Sequence, residues 1–353
     1  MWWLWIVGIV VALAGVKIWC SGGVYLYKPD LTGKVAILVE GTAGIGKETA
    51  RELPKLGATV IITGRDTAKA VKVIESINSE HLIHSNGKVK PIEFIKSDCS
   101  NMDDVKKLAG ILSNRFQIID ILVNNADIAS SEFRRTKQGL EMTVGVNYLS
   151  PVYLTSFLLP MIQKADEGRI VYVSSIAYKD YPMFHGEDEY YTDFLLDDMA
   201  IEKFGILRTY ARSKLGLVYF AQNLARLLET NGITNLKTAS FHPGVVRTDI
   251  WSRGIIPAFL DKIGIIFYPI VWLLTKSEVE GAQTSLHLCC CPLDKLTNGA
   301  YYQDCDVESF TNVATDGKLM QASWLAASNR LKDYDDHLLC QNMKLPPHLD
   351  VTE

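Results

Sequence analysis

Hydrophobic positions fall into one long run near the start of the chain and a series of short runs after it. Trp2 to Val16 carries no charge, and Lys17 is the only charge before Lys28. The stretch from Trp2 to Tyr27 is long enough to cross a hydrocarbon core of about 30 Å. Trp2, Trp3 and Trp5 at one end and Trp19, Tyr25 and Tyr27 at the other suit the two interfaces. The pattern predicts a single membrane anchor over residues 1–28. A secretory signal peptide is the competing reading, helped by Ala12-Leu13-Ala14 and opposed by the missing basic n-region. Lys17, Lys28 and Lys34 on the carboxyl side predict that the following domain stays on the cytosolic or matrix side. The endoplasmic reticulum with a cytosolic domain is the expected location, and the mitochondrial inner membrane is the alternative.

The short runs have strand length and alternate with helical stretches. Lys34 to Val39, Val60 to Thr63, Pro91 to Lys96 and Ile119 to Val123 read as strands, and Lys47 to Leu56 as a helix that Pro54 would kink near its last turn. A fifth such apolar strand ends at Val171-Tyr-Val-Ser-Ser175. Strand, short turn and helix in repetition predict an α/β fold: one doubly wound, mainly parallel Rossmann-type sheet with helices on both faces and right-handed crossovers, spanning residues 29–339. Residues 178–209 form a long spacer that includes the acidic stretch Glu187 to Asp193, read as a substrate lid, a partner surface or a solvated excursion. Residues 253–275 contain Ile263 to Leu274, too short for a span and strongly apolar. That segment is expected to wall an apolar pocket and rest on the bilayer, or else to form a buried helix interrupted by Pro269. Residues 340–353 are a polar tail.

Composition narrows the classes. A formal charge of −4 with mixed signs argues against a nucleic-acid surface. The 7 cysteines, with Cys289-Cys290-Cys291 consecutive, give neither a disulfide framework nor a metal-ligand spacing, so reduced thiols and no metal site are expected.

The chemistry concentrates at strand ends. Glu40-Gly-Thr-Ala-Gly-Ile-Gly46 is a glycine-rich turn between a strand and a helix, where a pyrophosphate could meet a helix N-terminus, and Gly44 and Gly46 fit that role clearly. Arg65, after the second strand, suits a 2′-phosphate and favours NADP(H) over NAD(H), with a solvated surface arginine as the alternative. Tyr210-Ala-Arg-Ser-Lys214 places a phenol and an ammonium one helical turn apart, on one face. Behind Ser175, the pair supplies groups that can protonate or deprotonate a carbonyl oxygen.

From Leu31 to Lys332 the chain resembles the short-chain dehydrogenase/reductase family, most of all its membrane-anchored retinol dehydrogenase-like subgroup. The resemblance rests on the glycine turn, Asp98, Asn124-Asn125-Ala126, Gly145-Val-Asn147, Ser174-Ser175, Tyr210 with Lys214, and His242-Pro-Gly-Val-Val-Arg-Thr248. Glu280-Gly-Ala-Gln-Thr-Ser285 and Gly299-Ala-Tyr-Tyr-Gln-Asp304 continue it. It implies that Tyr210 is the general acid, that Lys214 lowers the phenol pKa and holds the nicotinamide ribose, that Ser175 bonds the substrate oxygen, and that Asn147 holds a relay water. It implies cofactor contacts from Gly41, Gly44, Ile45, Gly46, Arg65, Asp98, Asn124, Ala126, Tyr210, Lys214, Pro243, Gly244, Val246 and Thr248.

Three residues depart from the family pattern. Anchored on Gly44-Ile-Gly46, Val39-Glu40 takes the place of the Thr-Gly that opens the turn, whereas sliding Gly41 into that slot would shorten the turn by one residue; either way a carboxylate is expected near the diphosphate. Asp127 replaces the glycine after Ala126, and Pro54 lies in the first helix. Two functions follow. One is a membrane-anchored NADP(H)-dependent oxidoreductase, NAD(H) also being open to it, that acts on a lipophilic alcohol or carbonyl, with a homodimer as a family habit. The other is an idle relative with an impaired nucleotide site and no bound cofactor, serving as an accessory subunit of a membrane complex.

Overall fold

The computed structural model describes residues 2–85, 89–130, 132–179, 198–247, 269–332 and 334. Most of the acidic spacer, the apolar segment up to residue 268, Thr248 and the polar tail lie outside the described residues.

Eight strands form one sheet in the order β3-β2-β1-β4-β5-β6-β7-β8. They are β1 (Val35–Val39), β2 (Thr59–Gly64), β3 (Glu93–Lys96), β4 (Ile121–Asn124), β5 (Gly168–Val173), β6 (Leu236–His242), β7 (Tyr301–Gln303) and β8 (Asp306–Glu308). All neighbours are parallel except β7 and β8, which form a closing antiparallel pair. Order reverses between β1 and β4, where Val39 stands beside Asn124. In a doubly wound sheet a ligand crevice opens at that reversal, beyond the carboxyl ends of the strands.

Alternation along each strand sorts side chains onto two faces. Ile37, Leu122, Ile170 and Tyr172 join one core, while Leu38, Val123, Val171 and Phe241 join the other. Helices cover both. After α1 (Trp2–Ser21) come α2 (Gly44–Glu52), α3 (Thr67–Ser85), α4 (Met102–Arg115), α5 (Ser150–Ile162), α6 (Asp198–Thr230), α7 (Glu278–Cys290) and α8 (Gly317–Lys332). Parts of α4, α5, α6 and α8 pack on the first face, and parts of α2, α3 and α7 on the second. The three consecutive cysteines at the end of α7 are free thiols buried in the second core.

Two local outcomes differ from the sequence expectation. Pro54 does not kink α2, which already ends at Glu52. The proline instead begins a 3-10 turn, Leu53–Leu56, closed by Gly57 in the left-handed region (φ 98°). At the start of that turn a missing N–H costs little, because no carbonyl awaits it. The second difference precedes α5, where Gly145–Leu149 winds as a π-turn and carries Asn147.

The helix α1 is exposed along its length and has the length and apolarity to cross a membrane. Its carboxyl end is bracketed to the domain. Lys17 Nζ donates to Thr275 O at 3.0 Å and pairs with Glu280 Oε2 at 3.0 Å, and the Ser21 hydroxyl donates to Glu280 Oε1 at 2.7 Å. Gly22 and Gly23 follow so closely against Asp304 that a Cβ at either would collide with it.

Candidate active site

Parallel pairing of β5 with β4 and β6 carries the chain to Ser174 and Ser175 at the carboxyl edge of the sheet. Beside that edge runs α6, broken at Gly205 (φ 76°) and continuous through Tyr210 and Lys214. Helix and strand end are riveted together. The Ser174 hydroxyl donates to Lys214 O at 2.9 Å, and Lys214 Nζ donates to Val173 O at 2.9 Å. His242, at the end of β6, accepts on Nδ1 from the Ile176 N–H at 3.2 Å, which fixes the turn that follows Ser175. Burial and the charge of Lys276 push the His242 imidazole down to about 4, so it stays neutral and able to accept.

Ser175, Tyr210, Lys214 and Asn147 lie in one neighbourhood. The Ser175 hydroxyl is hydrogen-bonded to the Tyr210 phenol. Lys214 Nζ lies 5.4 Å from the centre of the Tyr210 ring and is fully buried. Asn147 reaches Lys214's helix through Ser213, its Nδ2 donating to Ser213 Oγ at 3.1 Å. The same amide donates to Ile128 O at 2.8 Å, and its Oδ1 accepts from the Ile128 N–H at 2.9 Å. Its side chain thus pins the segment after β4 against α6.

Asp127 changes the electrostatics. Its Oδ1 pairs with Lys214 Nζ at 2.8 Å, and its Oδ2 accepts from the Tyr210 hydroxyl at 3.1 Å. Burial pushes the Tyr210 phenol well above the usual tyrosine range, and the Asp127 carboxylate pushes it further. Burial also lowers the Lys214 ammonium, with Asp127 opposing that shift. As the site stands, the phenol is a protonated acid, and the lysine charge is directed at a neighbouring carboxylate.

The nucleotide residues surround the crevice between β1 and β4. Gly41 N–H donates to Thr63 O at 3.0 Å, tying the turn to β2. Ile45, at the start of α2, and Val246, after β6, both lie where a Cβ on Gly281 of α7 would stand, at 3.3 Å and 2.6 Å. Gly244 takes a left-handed φ of 92° over the Lys276 side chain, and Pro243 precedes it. Arg65 is exposed at the end of β2, while Asp98 accepts from the Ser100 N–H and hydroxyl at 2.8 Å and 2.7 Å. Ala126 is buried.

A nicotinamide dinucleotide is the cofactor this arrangement implies, and three observations support the fit. Ala43 caps α2 with no side-chain hydrogen bond, so the first-turn N–H groups have no side-chain acceptor from the cap. A Cβ on Gly46 would stand 2.6 Å from Asn125 Nδ2 and 2.8 Å from Glu40 O, so only glycine fits where the turn approaches the end of β4. The buried Asn124 amide leaves both Nδ2 and Oδ1 without partners beside the crevice. Those partnerless atoms sit at the reversal point of the sheet.

Glu40 needs a correction. Its backbone takes the left-handed φ of 56° that a glycine would adopt freely, at a cost of ~1–2 kcal/mol for a side-chain residue. Its carboxylate lies over the end of β2, where Thr42 of the glycine turn also stands. Burial pushes it up to about 7, Arg65 and Lys69 pull it down, and Asp98 adds to the rise. The sequence flagged Glu40 and Asp127 as departures but not what they touch. His242 had no assigned role, and only its position beside Pro243 hinted at one.

Comparison with known proteins agrees with this geometry. The short chain dehydrogenase family model matches residues 34–186. Mouse (Mus musculus) retinol dehydrogenase 14 is 31% identical over 297 residues, covering 83% of this chain and 84% of that protein. Human (Homo sapiens) polyprenol dehydrogenase is 32% identical over 328 residues, covering 90% of this chain and 91% of that protein. Among solved structures, an uncharacterized protein from Mycobacterium paratuberculosis superposes with a TM-score of 0.63 at 22% identity, over 90% of this chain and 97% of that one. A Shigella flexneri short chain dehydrogenase complexed with NADP gives 0.57 at 20% identity, over 78% and 99%. With Tyr210, Lys214, Ser175 and Asn147 gathered at the reversal of a doubly wound sheet, and relatives this similar along most of its length, the chain belongs to the short-chain dehydrogenase family, in its retinol dehydrogenase-like subgroup.

Proposed function

We propose that this protein is a membrane-anchored oxidoreductase that interconverts a lipophilic alcohol and its carbonyl with a nicotinamide dinucleotide, NADP(H) being favoured by Arg65. The reading is carried by the hydrogen-bonded Tyr210 and Ser175 hydroxyls beside buried Lys214. When bound, the dinucleotide supplies or accepts a hydride. The Ser175 hydroxyl orients the substrate oxygen. Tyr210 gives its proton to that oxygen in reduction and takes it back in oxidation. The first turn of α2, Gly41, Gly44, Ile45 and Gly46 would hold the diphosphate, with Pro243, Gly244 and Val246 on the opposite side; Thr248, which the resemblance adds to the set, lies outside the described residues. Asp98, Asn124 and Ala126 would line the rest of the nucleotide path.

The relatives named for retinol and polyprenol support a long apolar substrate. Exposed Ile270, Val271, Trp272 and Leu274, next to the bracketed end of α1, support delivery from a bilayer. The endoplasmic reticulum, with the domain on the cytosolic side, is the location proposed. The assembled catalytic set favours a working enzyme over an accessory subunit.

The test is turnover of retinol and a short polyprenol by full-length protein in nanodiscs, with each dinucleotide, alongside Tyr210→Phe. Removal of the phenol is expected to lower kcat by ~10²–10⁴-fold while dinucleotide binding persists. Equal rates in both proteins would remove Tyr210 from the reaction. Absence of both turnover and dinucleotide binding would overturn the oxidoreductase reading itself.

A further inference from the structure

The residues flanking the Glu40 carboxylate locate it in the nucleotide path. A Cβ on Gly64, the last residue of β2, would stand 3.7 Å from Glu40 Oε2, so the carboxylate overlies the end of that strand, one residue before Arg65. Arg65 and Lys69 face it from the β2 end and α3, and Asp98 and the Cys99 thiol face it from the segment after β3. No ion pair closes on Glu40 among the described residues; the positive groups act on it from a distance. Arg65 is the cation offered to a 2′-phosphate and Asp98 the residue offered to adenine, so the carboxylate stands among the residues of the adenosine half of the path, next to Thr42 of the glycine turn.

Building on the cofactor reading above, we propose that Glu40 is the residue that sets dinucleotide specificity: its ionised carboxylate opposes a 2′-phosphate at Arg65, whereas its protonated form admits one. NAD(H) carries a ribose hydroxyl in that place and has no charge for Glu40 to repel. A carboxylate can also accept a hydrogen bond from that hydroxyl. The side chain's burial raises the pH at which it ionises to about 7, within the range where cells work. Preference for NADP(H) is therefore strong on the acid side of neutrality and fades above it, while NAD(H) affinity changes little.

The experiment is a calorimetric titration of full-length protein in nanodiscs with NADP+ and with NAD+ from pH 5.5 to 8.5, repeated for Glu40→Gln, Glu40→Gly and Arg65→Ala. A 2′-phosphate has its own ionisation near ~6, so the slope of Glu40→Gln is the reference. For the native protein, NADP+ affinity is expected to fall relative to that reference by up to about tenfold per pH unit above neutrality, with NAD+ nearly flat. Both Glu40 variants should gain about tenfold or more for NADP+ at pH 8.5, and Arg65→Ala should lose NADP+ affinity at pH 5.5 and leave NAD+ unchanged. Parallel NADP+ profiles for the native protein and Glu40→Gln would overturn the specificity role and leave the cofactor reading intact. Failure of both nucleotides to bind any of the proteins would overturn the two readings together.

Discussion

Asp127 stands where a glycine would leave empty space, and its carboxylate adds to burial in holding the Tyr210 phenol protonated. It accepts from Tyr210 at 3.1 Å and pairs with Lys214 at 2.8 Å. An anion beside a phenol disfavours phenolate, so the native site is set as an acid for carbonyl reduction. Alcohol oxidation needs the phenol's oxygen as a base and must wait for higher pH. Replacing Asp127 with Asn removes one cause of the raised phenol pKa but not the burial. The alkaline rise of kcat for oxidation is therefore expected at lower pH than in the native protein. A pH–rate profile of the two proteins checks this, and coincident profiles would deny Asp127 its influence on Tyr210. The sequence exposed Asp127 as an oddity and no more. Its two partners lie 83 and 87 positions away in the chain, and only the return of α6 to the end of β4 brings them within reach. Tyr210 and Lys214, by contrast, were legible because one helical turn fixes their shared face whatever the rest of the chain does.

Elements were legible where hydrophobic period and punctuation agreed. Strands β1, β2 and β4 were placed to within two residues, and α2 begins three residues earlier, at Gly44, and ends four residues earlier, at Glu52, than the sequence reading had it. Pro54 and Gly57 are turn residues as much as helix breakers, and the choice depends on Leu53 finding the second core. The contact of α6 with the π-turn was not legible. A Cβ on Gly216 would stand 2.8 Å from the Tyr148 ring, one residue after Asn147. Gly216→Ala is expected to cost ~1–3 kcal/mol through overpacking, and by shifting Lys214 and Asn147 together it should lower kcat more than dinucleotide affinity. Thermal melting and kinetics read the two effects separately. At the start of α7, partial burial opposes the ionisation of Glu280, but bonds from the Ser277 N–H, Ser21 and Lys17 hold its carboxyl down at about 2. A depressed carboxylate stabilises the fold above its unfolded value near ~4.3 and loses that contribution as pH falls toward 2. Glu280→Gln should therefore melt below the native protein at pH 7, with the difference closing between pH 4 and pH 2. A constant difference across that range would mean the loss is packing alone.

At the scale of the whole molecule, the doubly wound sheet followed from the alternation of short apolar runs with helices, and the structure adds β6, β7 and the antiparallel β8 to the five strands read from the sequence. The anchor was legible as composition, but its attachment was not. Two charged or polar side chains of α1 and two glycines meet residues more than 250 positions downstream, a distance no local pattern reports. Substituting Gly23 with Val is expected to prise this junction from Asp304, which limited proteolysis between residues 21 and 28 would register as faster cleavage with the catalytic domain still folded. The junction bears on how substrate is found. A domain on a loose tether wanders over the lipid and samples it from every side, whereas a domain held by a bracket keeps one heading. Under the proposed function, with α1 in a bilayer, the edge that carries Ile270, Trp272 and Leu274 is always the leading edge, and the search for a lipophilic substrate becomes a two-dimensional one made by a scoop of fixed pitch.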